Sequence, residues 1–208
     1  MEATADQLQR HIARVDKRQK ALRRFAPRKL TDTLSVAHYL WPKAAVVPFR
    51  ARPELDELMA WCVSGDHAAA QLVTGEAGAG KTRLARQLTN ELAANGWQPL
   101  WVPPGSENDA IEAVQAIGQP CVLVVDYAET RRGLAGMIND LAADQDDPDL
   151  RVLLLARSAG EWWQQLLASA DRQATSPLEA HVPMTLDPLS AAGGPSCLPP
   201  ARRCPPRR

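Results

Sequence analysis

The stretch Gly75-Glu76-Ala77-Gly78-Ala79-Gly80-Lys81-Thr82 decides the fold. It meets the spacing G-x-x-x-x-G-K-[ST]. An apolar run from Ala68 to Thr74, interrupted only by Gln71, leads into it, and a helix-forming segment from Arg83 to Asn95 follows. Strand, glycine-rich turn and helix in that order are the context of a phosphate-binding loop. Glycines let successive backbone N–H groups point inward without a Cβ clash. Those donors, with the positive end of the following helix, form an anion cradle. In such a cradle Lys81 is expected to bridge the β- and γ-phosphates and the Thr82 hydroxyl to ligate Mg²⁺. The expected nucleotide contacts are Gly75, Glu76, Ala77, Gly78, Ala79, Gly80, Lys81, Thr82 and Arg83. A turn that merely joined strand to helix would explain the glycines but not the Lys-Thr pair at this offset.

Downstream, strand and helix signals alternate. Gln98 to Val102 reads as a second strand, closed by Pro103-Pro104-Gly105. Ser106 is a plausible N-cap for a helix from Glu107 to Ile117, ended by Gly118 and Pro120. Cys121–Val125 is a continuous apolar run, as expected of a strand buried on both faces. A helix is expected from about Arg131 to Ala143, then an acidic turn over Asp144–Asp149. Arg151–Ala156 reads as another buried strand, with a helix after Gly160 and a last strand within His181–Leu186. This alternation predicts a parallel sheet with helices on both faces.

Upstream, residues 5–26 read as an amphipathic helix. Leu8, Ile12, Val15 and Leu22 form a heptad-like stripe with Arg and Lys on the other faces. Such a helix is expected to dock on its own domain, to form a homo-oligomer or to pair with a protein partner. Pro53 opens a further helix that carries Leu55, Leu58, Met59 and Cys62 on one face. The chain thus divides into an N-terminal basic helical segment (1–40), a core (41–190) and a Pro/Arg-rich tail (191–208) that is expected to be disordered.

The formal net charge is zero, but its distribution is uneven. Residues 1–30 hold nine Arg or Lys against three Asp or Glu, and the last nine residues hold four Arg and no acid. The middle is therefore acidic, and nucleic acid is not an expected partner. No run of 18 apolar residues is present, so no transmembrane segment is expected. The four cysteines, Cys62, Cys121, Cys197 and Cys204, show no C-x-x-C spacing, which fits a reduced, cytoplasmic protein. His11, His38, His67 and His181 are scattered, and no zinc site is inferred.

Asp126 ends the apolar run Cys121–Val125, 44 residues after Thr82. In a parallel sheet it lies at the carboxyl edge, where a second acid holds Mg²⁺. Glu129 is the candidate for positioning the attacking water, although it could equally favour the positive end of a helix there. Arg157 ends the strand Arg151–Ala156 and is a candidate sensor of the γ-phosphate; a surface ion pair with Glu161 is the alternative. Arg50 and Arg52 are further candidates for the nucleotide's base or phosphate side. Trp162 and Trp163 read as packing residues. No N/T-K-x-D stretch follows the loop, which favours ATP over GTP.

Four segments occur in order: V-V-P-F-R-A-R-P-E-L-D-E-L (46–58), L-V-T-G-E-A-G-A-G-K-T-R-L-A (72–85), V-L-V-V-D-Y-A-E-T-R (122–131) and R-V-L-L-L-A-R-S-A-G-E-W-W (151–163). Together they resemble the STAND class of P-loop ATPases, signalling relatives of the AAA+ proteins. The likeness is to bacterial, actinobacterial-type members with helical repeats behind the ATPase. It covers roughly residues 40–190. It implies an α/β, parallel-sheet P-loop NTPase core of the ASCE/AAA+-like kind and an ATP-driven switch. By the same likeness Asp126 is the Walker B acid and Arg157 the arginine that ends the sensor strand. His181–Ser190 resembles the last core strand and the lead into a helical lid. The class has glycine where this chain has Ala51. The class's lid, winged-helix domain and repeats should follow Ser190, where only the tail stands, so a truncated form is expected. The expected function is Mg-ATP binding with slow hydrolysis. The alternative is a nucleotide-binding module or inactive fragment without turnover. A small-molecule P-loop kinase would carry an Arg-rich lid and acceptor pocket, neither of which is seen. A nucleic-acid-directed AAA+ protein would use the basic N-terminal arm.

Overall fold

The apolar runs Cys121–Asp126 and Leu150–Leu155 form adjacent inner strands of one sheet. In the computed structural model, which describes residues 2–27, 49–64, 69–143, 149–169 and 182–188, five parallel strands make one sheet. They are β1 (Ala69–Thr74), β2 (Gln98–Trp101), β3 (Cys121–Asp126), β4 (Leu150–Leu155) and β5 (Met184–Thr185). Their order is β2-β3-β4-β1-β5. The helices are α1 (Glu2–Arg24), α2 (Pro53–Val63), α3 (Lys81–Ala94), α4 (Ala110–Ile117), α5 (Leu134–Ala143) and α6 (Glu161–Ser169).

The continuous apolar strands are buried on both faces, as parallel strands covered by helices must be. Cys121, Leu123 and Val125 of β3 join Leu150, Val152 and Leu154 of β4 in one layer, with Ile111 and Val114 of α4, Met137 and Ile138 of α5 and Trp163 of α6. Val122 and Val124 alternate onto the other face, with Leu153 and Leu155, beneath Leu58 of α2 and Leu84, Leu88 and Leu92 of α3. The strand period of two thus sorts one run of residues into two cores.

Local signals end the elements where expected. Gly96 and Gly118 follow α3 and α4 with φ of +87° and +63°, the left-handed exit that glycine adopts without a Cβ penalty. The helix expected from Glu107 starts instead as a 3-10 turn, Glu107–Asp109, and becomes α-helical at Ala110. Ser106 makes no side-chain cap; its Oγ accepts a hydrogen bond from Arg24 Nη2 at 3.1 Å. The helix expected from Arg131 begins at Leu134, because Arg131 is drawn into the sheet edge.

Helix α1 docks on its own domain through its last turns. Ala21 and Phe25 are buried in the first core, Arg24 pairs with Asp109 at 2.6 Å, and Arg18 donates to Gln119 at 2.8 Å. The stripe residues Ile12 and Val15 are 53% and 40% exposed, so docking uses the end of the helix rather than the whole stripe. Most of the expected acidic turn (144–148), the first residue of the expected last strand and the tail 191–208 lie outside the described residues.

Arg151 is fully buried in β4. Its Nη2 donates to Ser64 O at 2.8 Å and its Nε to Trp61 O at 3.3 Å. A cation over the last carbonyls of α2 satisfies groups that the helix itself leaves unpaired. This fixes the far end of α2 against the sheet, and Arg52 fixes the near end.

Candidate nucleotide site

Strand pairing builds the site. Val73 of β1 and Asp126 of β3 both lie in register with Leu155 of β4. Strand β4 therefore separates the loop after β1 from the acid ending β3, and the residues just past Leu155 emerge between them. All three strand ends share one carboxyl edge, where open α/β sheets bind ligands.

After β1 the chain turns sharply. Gly78 and Gly80 have φ of +86° and +92°, and Gly80 is the N-cap of α3. Both conformations suit a residue without Cβ. Glu76, Ala77 and Gly78 are exposed, while Gly75 and Ala79 are buried. Lys81 opens α3 and folds back over the loop, where its Nζ donates to Gly75 O and, at 3.0 Å, to Glu76 O. Burial holds the Lys81 ammonium below its ordinary pKa; Glu129 and Asp126 pull it back up, and Arg157 opposes them. Those four charges therefore share one field. Thr82 and Arg83 are half-buried on the first turn of α3.

The Thr82 hydroxyl donates to Asp126 Oδ2 at 3.2 Å, and Asp126 Oδ1 accepts from the Tyr127 N–H at 3.1 Å. Tyr127 has φ of +56°, a strained value for a bulky residue. It throws its own ring outward, 59% exposed, and turns the following 3-10 segment, Ala128–Thr130, back over the sheet edge. Glu129 thereby reaches β4: its Oε1 accepts from the Arg157 N–H at 3.2 Å. Its Oε2 is buried without a hydrogen-bond partner among the described residues. The Arg157 carbonyl accepts from the Gly75 N–H at 3.2 Å. Arg157 itself is exposed, and no ion pair with Glu161 is found among the described residues.

Thr82 and Asp126 present hard oxygen atoms side by side, the donor chemistry of Mg²⁺. Among the described residues no cluster of three or more His, Cys, Asp or Glu could cage a metal.

Two arginines frame the site in ways spacing does not show. Arg131 donates from Nε to Asp126 O, from Nη2 to Val102 O and from Nη1 to Glu107 Oε1, each at 3.0 Å. It ties the ends of β2 and β3 together. Arg52 donates to Ala79 O at 2.7 Å, which places it against the loop backbone; Arg50 is exposed. The sequence signal for Arg52 is its place before Pro53 at a helix start; no local signal marks Arg131. Trp162 and Trp163 pack edge to face, their centroids 5.6 Å apart, with Trp163 in the core.

The family described as Novel STAND NTPase 5 matches residues 41–167. No match was found among curated proteins. Among solved structures, the chain is similar to the Orc1 protein of Aeropyrum pernix in complex with DNA, at 16% identity and a TM-score of 0.48, over 66% of this chain and 45% of that one. It is also similar to the P-loop NTPase domain of an Escherichia coli sigma-54 activator, at 18% identity and a TM-score of 0.40, over 68% of this chain and all of that one. A third likeness is to the RuvB Holliday junction branch migration motor of Thermotoga maritima, at 18% identity and a TM-score of 0.35, over 65% of this chain and 44% of that one. The matched region thus spans less than half the length of the Orc1 and RuvB chains. The family match takes in every residue from β1 through β4, and with it the loop 75–82, Asp126, Glu129 and Arg157; β5 lies outside it. At more than half of the chain it is decisive: the protein belongs to the Novel STAND NTPase 5 family, and its core is a P-loop NTPase nucleotide-binding domain.

Proposed function

We propose that this domain binds Mg-ATP and hydrolyses it slowly, as the switch of a signalling protein. The observation that carries the reading is the Glu129 carboxylate: one oxygen is anchored on the Arg157 N–H and the other is buried, without a partner among the described residues, beside Lys81 and Asp126. A carboxylate so held accepts a hydrogen bond from the attacking water and takes its proton. The loop N–H groups and Lys81 carry the β- and γ-phosphate charge, with Gly75–Arg83 as the binding segment. Thr82 and Asp126 hold Mg²⁺, which supplies charge neutralisation at the phosphates when bound. The Arg157 guanidinium, exposed at the same edge, stabilises charge developing on the γ-phosphate.

ATP rather than GTP is favoured by the lack of an N/T-K-x-D stretch. The exposed Ile12 and Val15 on α1 support association with a second copy or a protein partner. Among the described residues no helix is long and apolar enough to cross a membrane, and the buried thiols of Cys62 and Cys121 suit the reducing cytoplasm.

Calorimetric titration tests the binding. Lys81→Ala is expected to abolish Mg-ATP binding, since the loop's only lysine is lost; unchanged affinity would refute the reading. Binding by the wild type with no phosphate release would favour the competing reading, a nucleotide-binding module without turnover.

A further inference from the structure

Arg52 stands at the N-cap of α2 in extended conformation, with Pro53 after it. Its side chain is 9% exposed and reaches three elements. Nη1 donates to Ala79 O at 2.7 Å. Nη2 donates to Asp187 O at 3.0 Å. Nε and Nη2 also face the Glu54 carboxylate at 3.3 and 3.1 Å. The planar fork of a guanidinium satisfies all these acceptors at once, which a lysine's single ammonium does not.

The Ala79 carbonyl is not an arbitrary acceptor. It belongs to the peptide that leads into Gly80, the N-cap of α3. The Ala79–Gly80 peptide is trans, so the Ala79 C=O and the Gly80 N–H point in opposite directions. Holding that oxygen outward on Arg52 aims the Gly80 N–H to the other side, as a cradle donor must be aimed.

The segment after β5 meets the other end of the same loop. The Leu186 N–H donates to Thr74 O at 2.8 Å, and Leu186 is buried. A Cβ on Gly75 would lie 2.9 Å from Leu186 O and 3.3 Å from Leu186 Cβ. Residues 186–187 therefore touch the loop twice, directly at Gly75 and through Arg52 at Ala79.

We propose that Arg52 is a positioning residue that couples the segment leaving β5 to the phosphate loop, so that displacing Leu186–Asp187 changes the set of the loop. The inference rests on the reading of Gly75–Thr82 as a phosphate loop. Arg52 does not touch nucleotide in this scheme. It transmits the position of the chain beyond β5 to the backbone that does.

Hydrogen exchange on the full chain without nucleotide tests the coupling, with Mg-ATP titration beside it. Arg52→Ala is expected to raise exchange about tenfold or more in peptides covering 75–80 and 184–188 together, while β3 peptides keep their protection. Mg-ATP affinity should fall about tenfold or more. Arg52→Lys keeps the charge and guards against a misfolded alanine variant. It should restore charge without the fork and fall between the two. Unchanged exchange at 75–80 in both variants would overturn the proposal. So would a rise confined to 184–188, or one that includes β3, which marks a general loss of structure. A wild type that binds no Mg-ATP would refute the phosphate-loop reading instead, and the exchange experiment would still decide the coupling.

Discussion

The N–H of Arg157 donates to Glu129 Oε1 at 3.2 Å, while the carbonyl of the same residue accepts from the Gly75 N–H, also at 3.2 Å. One peptide segment past β4 thus fixes both the start of the phosphate loop and the candidate base. Strand β4 can do this because it lies between β1 and β3. The distance between loop and base is then set by hydrogen-bonded strand spacing rather than by a flexible connection.

Glu129→Gln keeps an amide oxygen for the Arg157 N–H but cannot take a proton from water. Mg-ATP affinity is expected to stay within about twofold, while phosphate release falls by about 10² to 10⁴. Single-turnover phosphate release beside a calorimetric titration measures both. Equal release from the two proteins would remove Glu129 from the chemistry.

Asp126→Asn should separate the metal from the nucleotide. The Thr82 hydroxyl keeps an oxygen to donate to, but the site loses the carboxylate charge that favours a divalent cation. ATP binding measured across a Mg²⁺ titration should lose most of its Mg²⁺ dependence in the variant. Retention of the wild-type dependence would place the ion elsewhere.

The pair Arg131–Glu107 is nearly fully buried, at 7% and 4% exposure. Arg131→Met leaves Glu107 as an uncompensated buried charge, so it should lower unfolding free energy by about 3–5 kcal/mol in denaturant titration. Arg131→Met with Glu107→Gln removes the stranded charge and should recover part of that loss. No recovery would show that the Asp126 and Val102 carbonyls, rather than the ion pair, account for Arg131.

Burial pushes the Cys62 thiol up from 9.0 to about 12, with Arg151 opposing. Its folded pKa lies above its unfolded value, so the unfolded chain releases the proton first. The protein should therefore lose stability as pH rises from 9.0 toward 12, by up to about 1.4 kcal/mol per pH unit from this group. Cys62→Ala should flatten the slope in this window, whatever its effect at neutral pH. Chemical denaturation of both proteins across the window checks this, and parallel slopes would contradict it.

The phosphate loop, the acid Asp126 and the two-faced burial of β3 and β4 were legible because each is written in local residue identity. Positive φ needs glycine, an anion needs N–H groups and a lysine, and a covered parallel strand needs unbroken apolar residues. The N-cap expected of Ser106 did not form, because its hydroxyl is taken by Arg24, a partner 82 residues away that no local pattern shows. The stripe on α1 correctly marked a helix, yet among its described side chains Ala21, Leu22 and Phe25 near its end are the ones that reach the core, while Ile12 and Val15 stay exposed.

By itself the sequence determined a P-loop α/β domain and nominated the residues that we propose carry phosphate, Mg²⁺ and a proton. The tertiary structure alone decided how those residues meet. It inserted β4 between β1 and β3, aimed Glu129 back at Arg157 through the strained Tyr127, and assigned Arg52, Arg131 and Arg151 to backbone carbonyls. The reason is physical. Every residue offers the same carbonyl, so no local pattern announces which one a distant guanidinium will find. That choice exists only once the strands have paired and the chain ends are brought to one edge.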